Sequence, residues 1–206
     1  MNNKTPYAVT RQFEEELQDY TGAPYAVALN SGTAALMLSV QWSLRDVPPG
    51  FPVDVEIPRR TYVSVPCAII HGGWRVRWRD ERWRGAYQLE PLNVGDCARR
   101  FTSGMYVAGQ MQCLSFATSK ILGVEQGGAI LHDSPEADRW FRRMRFDGRS
   151  EGVDPLEDTF DLLGWHCIML PSTAATLIWK LYHLPKTNED LPYYSYPDLS
   201  KHTAFR

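Results

Sequence analysis

The sequence predicts an α/β domain with a mainly parallel sheet flanked by helices. Short apolar runs typical of strands alternate along the chain with segments of helical periodicity, an order that favours strands joined by crossover helices. The 206 residues and the hydrophobic share of 44% suffice for one domain with a substantial core. We expect residues 1–183 to form this domain. Residues 184–206 are rich in Pro and Tyr and lack a clear period, so we expect an extended tail there.

The first half of the chain contains three predicted helices and three predicted strands. A helix over residues 10–20 places Phe13, Leu17 and Tyr20 on one face, and Gly22 ends it. The remaining helices are predicted over 34–44 and 65–70, and the strands over 25–29, 53–57 and 74–79. The last strand alternates strictly between arginines and larger apolar side chains, which predicts two chemically different faces.

The second half of the chain continues this alternation. Short strands are predicted over 92–94, 112–116 and 128–132. Ser134 as a capping residue, Pro135 in the first position and Glu136 in the first turn predict a helix that runs to about residue 146. A last helix is predicted over residues 173–183.

The composition argues against several classes of function. The formal net charge of -2 gives no global attraction to nucleic acid or to a membrane surface. No apolar run reaches the roughly 20 residues of a membrane helix, and the N-terminus lacks an apolar signal-peptide core. We therefore expect a cytoplasmic protein without a membrane partner. The four cysteines form no C-x-x-C pair, which indicates free thiols rather than a zinc or redox site, and no metal is expected.

Three polar segments follow predicted strands, where the ligands of such sheets bind. Residues 31–33 open a helix, whose backbone N–H groups and dipole favour an anion. Asp96 could hold a ring nitrogen protonated by charge pairing. The segment 115–120 ends at Lys120, and a partly deprotonated lysine can form a Schiff base with an aldehyde. Each segment alone has an ordinary explanation, as a helix cap or a solvated lysine, so the hypothesis depends on their coincidence.

Six segments, taken in order, resemble the DegT/StrS family of pyridoxal-phosphate (PLP) aminotransferases, which act on nucleotide-linked keto-sugars. They are residues 13–22, 25–36, 57–64, 114–129, 142–148 and 164–175. The second segment, YAVALNSGTAAL, looks like the family's phosphate-binding signature, and the fourth looks like its cofactor-lysine segment. The resemblance covers roughly residues 13–181 and implies the large domain of the fold-type I PLP transferases in truncated form.

The resemblance implies roles for the residues around the cofactor ring. Lys120 would hold PLP as a Schiff base and later shuttle a proton. Asp96 would pair with the pyridine nitrogen and keep the ring an electron sink. Tyr62 would stack on the ring face. Arg99 falls where the family usually places a Gln or His beside the ring.

The resemblance also implies a phosphate site and a reaction. The amides of Gly32 and Thr33 and the hydroxyl of Ser115 would hold the phosphate, and His166 stands where the family often has an asparagine that reaches the partner's phosphate. An amino donor, commonly glutamate, would load the cofactor, and a keto-sugar nucleotide would take the amine. The active site would be built across a homodimer.

Two departures from the family pattern affect substrate binding more than cofactor binding. The family is usually nearly twice as long. Between Trp78 and Asp96 there is too little sequence for the usual strand, helix and second strand, so about one βα unit is missing. From the sequence after Leu181 we also expect the small C-terminal domain, which in the family normally covers the site and helps to bind donor and sugar, to be absent. Ile168 stands where the family often has an arginine.

The sequence is compatible with four functions. Lys120, Asp96 and Ser115 favour an active aminotransferase. The missing βα unit and the missing small domain favour a non-catalytic interaction protein that retains the fold. A PLP enzyme of another reaction type, such as a dehydratase, is disfavoured because the dehydrating members replace the lysine with histidine. A nucleic-acid-binding module would use the arginines between 75 and 84, which otherwise form a solvated strand face, and would bind in a strongly salt-dependent way. Nucleic acid is not expected as a partner.

Overall fold

The computed structural model describes residues 7–48 and 50–205. These residues form five α-helices: α1 (Ala8–Thr21), α2 (Gly32–Leu44), α3 (Ser64–His71), α4 (Pro135–Met144) and α5 (Pro171–His183). They also form seven strands: β1 (Tyr25–Leu29), β2 (Asp54–Pro58), β3 (Arg75–Arg79), β4 (Tyr87–Leu89), β5 (Val94–Asp96), β6 (Met111–Ser115) and β7 (Gly128–His132). Every predicted helix exists. β4 was not predicted, and β5 begins two residues later than expected.

The seven strands lie in one layer. Five of them form a sheet in the order β1-β7-β6-β5-β4, and β2 and β3 form a separate pair. The backbone of Glu56 in β2 exchanges two hydrogen bonds with Glu90, the residue after β4, at 2.7 and 3.1 Å. This bridge continues the sheet from β4 into β2.

The sheet is mostly antiparallel, whereas the sequence predicted a mainly parallel one. β7 lies between β1 and β6 and runs opposite to both, and β4 runs opposite to β5. The β5–β6 and β2–β3 pairs are parallel. The reversals arise because β6 connects to β7, and β4 to β5, without the crossover helix that a parallel pair needs. The predicted α/β class is nevertheless confirmed.

Five strands still point the same way, and this positions the candidate site. β1 and β6 both oppose β7, and β5 is parallel to β6. β2 opposes β4 through the Glu56–Glu90 bridge, and β3 is parallel to β2. The carboxyl ends of these five strands therefore lie at one edge of the layer, and those of β1, β2, β5 and β6 adjoin the candidate site.

Helices cover both faces of this layer, as predicted. β1 shows the division, because Val27 and Leu29 belong to one buried apolar cluster and Ala26 and Ala28 to another. The first cluster takes side chains from α2, α3 and α4, and the second from α1 and α5. The alternation of side chains along a strand places each set on its own face, which gives a three-layer α/β arrangement.

The arginine face of β3 is matched by acids on the neighbouring strand. The parallel register places Asp54 opposite Arg75 and Glu56 opposite Arg77. The first pair is 2.7 Å apart and the second 3.6 Å, and Arg79 pairs with two glutamates at 3.1 and 3.2 Å. These exposed pairs contribute little stability, but they support a solvated strand face rather than a phosphate-binding patch.

The longest helix of the described residues, α1, has 14 residues. None of the helices in this part of the chain combines the length and apolar character of a membrane span.

Candidate active site

An open cavity of about 800 Å³ lies at the edge where β1, β2, β5 and β6 end. The segments that follow these strands supply most of its lining, because codirectional strands bring their carboxyl ends together. All of the predicted site residues except His166 line the cavity, namely Gly32, Thr33, Tyr62, Asp96, Arg99, Ser115 and Lys120. The coincidence expected from the sequence is therefore present in space.

The start of α2 lies against the end of β6 and forms a cradle of backbone amides beside Ser115. Ser31 caps the helix by accepting a hydrogen bond from the N–H of Ala34 at 3.1 Å. The first-turn amides of Gly32 and Thr33 have no partner within the helix, as at any helix start. A Cβ on Gly32 would lie 2.8 Å from the Cβ of Ser115, so only glycine lets the turn approach so closely. Amides and the Ser115 hydroxyl at a helix N-terminus suit a phosphate.

Asp96 lies at the end of β5 and is only 3% exposed. One carboxylate oxygen accepts the N–H of Ala98 at 3.0 Å, and the other accepts the hydroxyl of Tyr87 at 2.9 Å. Burial raises the pKa of this carboxyl, while these two donors and the nearby Lys120 act in the opposite direction. Each oxygen keeps a second lone pair, so Asp96 can accept a further N–H from a ligand in the cavity.

Lys120 is half-buried in the loop between β6 and β7. Burial lowers the pKa of its amine, the Arg99 guanidinium lowers it further, and Asp96 opposes the shift. A lowered pKa increases the share of neutral amine, which is the form that attacks an aldehyde.

The segment 190–199 forms one wall of the cavity. One end is held by an ion pair between Arg100 and Asp190 at 2.6 Å. The other end is held by the N–H of Leu199, which donates to the carbonyl of Arg59 at 2.9 Å. The segment contributes Leu191, Tyr194, Tyr196, Pro197 and Leu199 to the lining. Residues 185–198 contain no helix or strand, whereas Leu199–Lys201 and Thr203–Phe205 form short 3-10 helices. The segment packs against the domain.

Two of the predicted residues, Arg99 and Tyr62, contact this wall. The guanidinium of Arg99 donates to the carbonyl of Pro192 at 2.9 and 3.2 Å and lies 5.7 Å from the ring centre of Tyr194. Tyr62 is 55% exposed, and its ring meets that of Tyr196 edge to face at 6.3 Å. An exposed aromatic face at a cavity mouth can stack on a planar ligand.

His166 does not reach this cavity. Its side chain is exposed, and its Nδ1 lies 2.8 Å from a carboxylate oxygen of Asp147. The structure therefore gives no support for a contact between His166 and a cofactor in its own chain. A contact with the phosphate in a partner subunit stays a prediction.

Sequence reasoning missed several residues of the site. Thr61 and Trp83 line the cavity, and Tyr87 lies behind it in contact with Asp96. The apolar-polar alternation of Tyr87, Gln88 and Leu89 was a usable signal for β4, although a strand of three residues is a weak one. The sequence shows that the C-terminal segment is rich in tyrosine, but it does not show that this segment lies against the cavity.

A family model describes most of the chain. The model of the DegT/DnrJ/EryC1/StrS aminotransferase family matches residues 2–83 and 102–191. The unmatched residues 84–101 contain β4, β5 and Asp96, and they coincide with the region where the sequence departs from the family pattern. No curated protein sequence matches the chain.

Solved structures share the fold. AtS13 from Actinomadura melliaura is 20% identical, with a TM-score of 0.75 over 84% of this chain and 59% of its own. The sugar aminotransferase CalS13 from Micromonospora echinospora is 18% identical, with a TM-score of 0.69 over 85% and 61%. Helicobacter pylori PseC, an aminotransferase of pseudoaminic acid biosynthesis, is 15% identical, with a TM-score of 0.69 over 84% and 57%. The chain thus spans less than two thirds of the length of these proteins.

Proposed function

The chain belongs to the DegT/DnrJ/EryC1/StrS aminotransferase family, and from this premise we propose that it is a PLP-dependent aminotransferase acting on a sugar nucleotide. The amino group would come from an amino acid, with glutamate as the expected donor, and would go to the carbonyl of a keto-sugar nucleotide. The observation that carries this proposal is the meeting of Lys120, Asp96 and the start of α2 around one cavity.

PLP is the cofactor of this family, and the residues of the cavity fit its three polar groups. The cradle of Gly32, Thr33 and Ser115 suits the phosphate, and it depends on a close approach that a Cβ on Gly32 would prevent. The Asp96 carboxylate suits the ring nitrogen, and the Lys120 amine suits the aldehyde. A cavity of about 800 Å³ has room for the cofactor and part of a substrate.

Each of these residues would have a distinct role in the reaction. When bound, PLP supplies an electron sink that withdraws charge from the substrate carbon next to nitrogen. Asp96 would accept the ring N–H and keep that nitrogen positively charged. Lys120, released as a neutral amine, would take the proton from that carbon and return one on the product side. Tyr62 would cover one face of the ring, and the cradle at α2 would prevent its rotation.

A homodimer would complete the site. The segment 156–170 exposes Leu156, Phe160, Leu163, Trp165 and Leu170, and α5 exposes Trp179 and Tyr182. Apolar side chains exposed in such number support a protein interface. His166 lies in the same segment and would approach the phosphate in the partner.

A second candidate, a non-catalytic interaction protein with the same fold, is favoured by the wall that the segment 190–199 forms. Arg99 donates its hydrogen bonds to the carbonyl of Pro192, and Tyr194 and Tyr196 line the cavity where a substrate would bind. Such a protein could bind PLP without transferring an amino group.

The test of both candidates is covalent capture of PLP. The wild-type protein is mixed with PLP, reduced with borohydride and digested, and the modified peptide is identified by mass spectrometry. We expect the label on Lys120, its loss in Lys120→Ala, and loss of the visible absorption band of the unreduced protein when glutamate is added. Lys201→Ala, an exposed lysine outside the cavity, serves as the control.

Two outcomes would reject the enzyme. A folded wild-type protein without a label on Lys120 excludes the aminotransferase. A labelled protein whose absorption does not respond to glutamate or to other amino acids supports the non-catalytic candidate.

A further inference from the structure

Two buried hydroxyl groups form a chain that ends on Asp96. The hydroxyl oxygens of Thr61 and Tyr87 are 2.5 Å apart, and the hydroxyl of Tyr87 is 2.9 Å from the Oδ2 of Asp96. Thr61 is 1% exposed, Tyr87 6% and Asp96 3%. Their mutual contacts therefore replace hydration that burial has removed.

The protons in this chain have one arrangement while Asp96 is ionised. A carboxylate only accepts hydrogen bonds, so the single proton of the Tyr87 hydroxyl points at Asp96. The oxygen of Tyr87 is then free to accept, and Thr61 donates to it. Hydrogen bonds that end on a charged group are the stronger ones in proteins.

Strand pairing and a neighbouring indole hold Tyr87 in place beside Asp96. Tyr87 in β4 is the direct partner of Asp96 in the antiparallel β4–β5 pair. The indole of Trp83 packs on the ring of Tyr87, with 4.7 Å between ring centres, and donates its N–H to the carbonyl of Arg60 at 2.9 Å. Tyr87 and Asp96 both lie in the residues that the family model leaves unmatched.

We propose that Tyr87 is a positioning residue that orients the Asp96 carboxylate and keeps it ionised, and that Thr61 orients Tyr87 in turn. The consequence for the cofactor rests on the proposed function, because an ionised Asp96 is what the ring nitrogen needs. The effect on Asp96 itself does not depend on any cofactor.

Among the described residues, Tyr87 is the one side chain that donates a hydrogen bond to Asp96. Tyr196 approaches from the C-terminal segment, and Cys97 and Cys113 from β5 and β6. Burial keeps both thiols neutral, with the pKa of Cys113 raised to about 12. Lys120 favours the charged form of Asp96, but its own pKa is lowered. Removal of the Tyr87 hydroxyl should therefore raise the pKa of Asp96 further.

The direct test follows the carboxyl carbon of Asp96 by NMR against pH in cofactor-free protein labelled with ¹³C-aspartate, with Asp96→Asn for assignment. In Tyr87→Phe, which keeps the ring and its packing, we expect the titration midpoint to move to higher pH. Thr61→Val should move it in the same direction by less, and Thr61→Ser, which restores a hydroxyl, should return it. Tyr106→Phe, whose hydroxyl donates to the carbonyl of Gln110, is the matched control.

A second measurement connects this effect to the cofactor. PLP should bind Tyr87→Phe about tenfold more weakly than wild type near neutral pH, because the variant lacks a hydrogen bond that stabilises the ionised Asp96 needed by the ring nitrogen. The loss should grow on acidification, because the variant's Asp96 is protonated at higher pH. An unchanged Asp96 midpoint in Tyr87→Phe overturns the positioning role. A shifted midpoint together with a wild type that does not bind PLP supports that role and instead rejects the proposed function.

Discussion

Burial acts in opposite directions on Asp96 and Lys120, two charged residues of the cavity. It raises the pKa of the Asp96 carboxyl and lowers that of the Lys120 amine, while each residue favours the charged form of the other. Both shifts have the same physical origin, because a poorly solvated environment disfavours charge of either sign. Two groups perturbed in this way in one cavity are typical of a catalytic site.

Gly128 controls how closely the start of α2 approaches the sheet. A Cβ at this position would lie 2.3 Å from the carbonyl carbon of Ser31 and 2.4 Å from the backbone nitrogen of Gly32. These are backbone atoms of the turn that we propose binds the phosphate, so they cannot yield by a side-chain rotation. The conformation of the turn therefore depends on Gly128, which lies far along the chain at the start of β7.

We expect Gly128→Ala to displace the turn, lower the free energy of unfolding by about 1–3 kcal/mol and weaken PLP binding. Urea unfolding and a PLP titration measure the two effects. Gly95→Ala is the matched control, because Gly95 also lies in a strand and an added Cβ there meets nothing closer than 3.5 Å. Equal behaviour of the two variants would contradict the role of Gly128.

At the scale of elements, α1 is joined to the sheet by a buried charge network. Glu14 of α1 is 1% exposed, and its carboxylate accepts the N–H of Ala28 in β1 at 2.9 Å and pairs with Arg142 of α4 at 2.7 Å. It also pairs with Arg145, just after α4. Burial alone would raise the pKa of Glu14, but the two arginines outweigh it and the pKa is lowered.

We expect Glu14→Gln to lower the free energy of unfolding by about 3 kcal/mol at neutral pH, because it leaves buried arginine charge without its counter-charge. The lowered pKa makes the contribution of Glu14 fully present above the unfolded pKa, near 4.5, and lost as the pH falls through the folded value. The difference between wild type and variant should therefore shrink below about pH 4.5.

Urea unfolding across a pH series measures this difference. Glu15→Gln, in the same helix but exposed, is the control and should have little effect. A Glu14→Gln deficit that stays constant from neutral to acidic pH would show that the loss is one of packing rather than of charge.

At the scale of the whole molecule, the proposed homodimer has a direct test. Sedimentation velocity of the wild-type chain should give the mass of two copies. Combined Leu163→Ser and Trp165→Ser, which remove 95% and 48% exposed side chains, should give the mass of one copy with the fold retained. Phe51→Ser, a 62% exposed residue on another part of the chain, should leave the dimer intact. A wild-type monomer would reject the interface.

The sequence by itself determined every α-helix, every strand except β4, and most of the candidate residues that line the cavity, because those signals are local. The helix start at Ser134, the stop at Gly22 and the alternation of β3 depend on neighbours within a few residues. The lysine segment and the Ser-Gly-Thr turn were visible for the same reason. Only the tertiary structure decided the direction of β7, the hydroxyl chain from Thr61 through Tyr87 to Asp96, and the position of the segment 190–199. Those features depend on contacts between residues far apart in the chain, which no local pattern specifies.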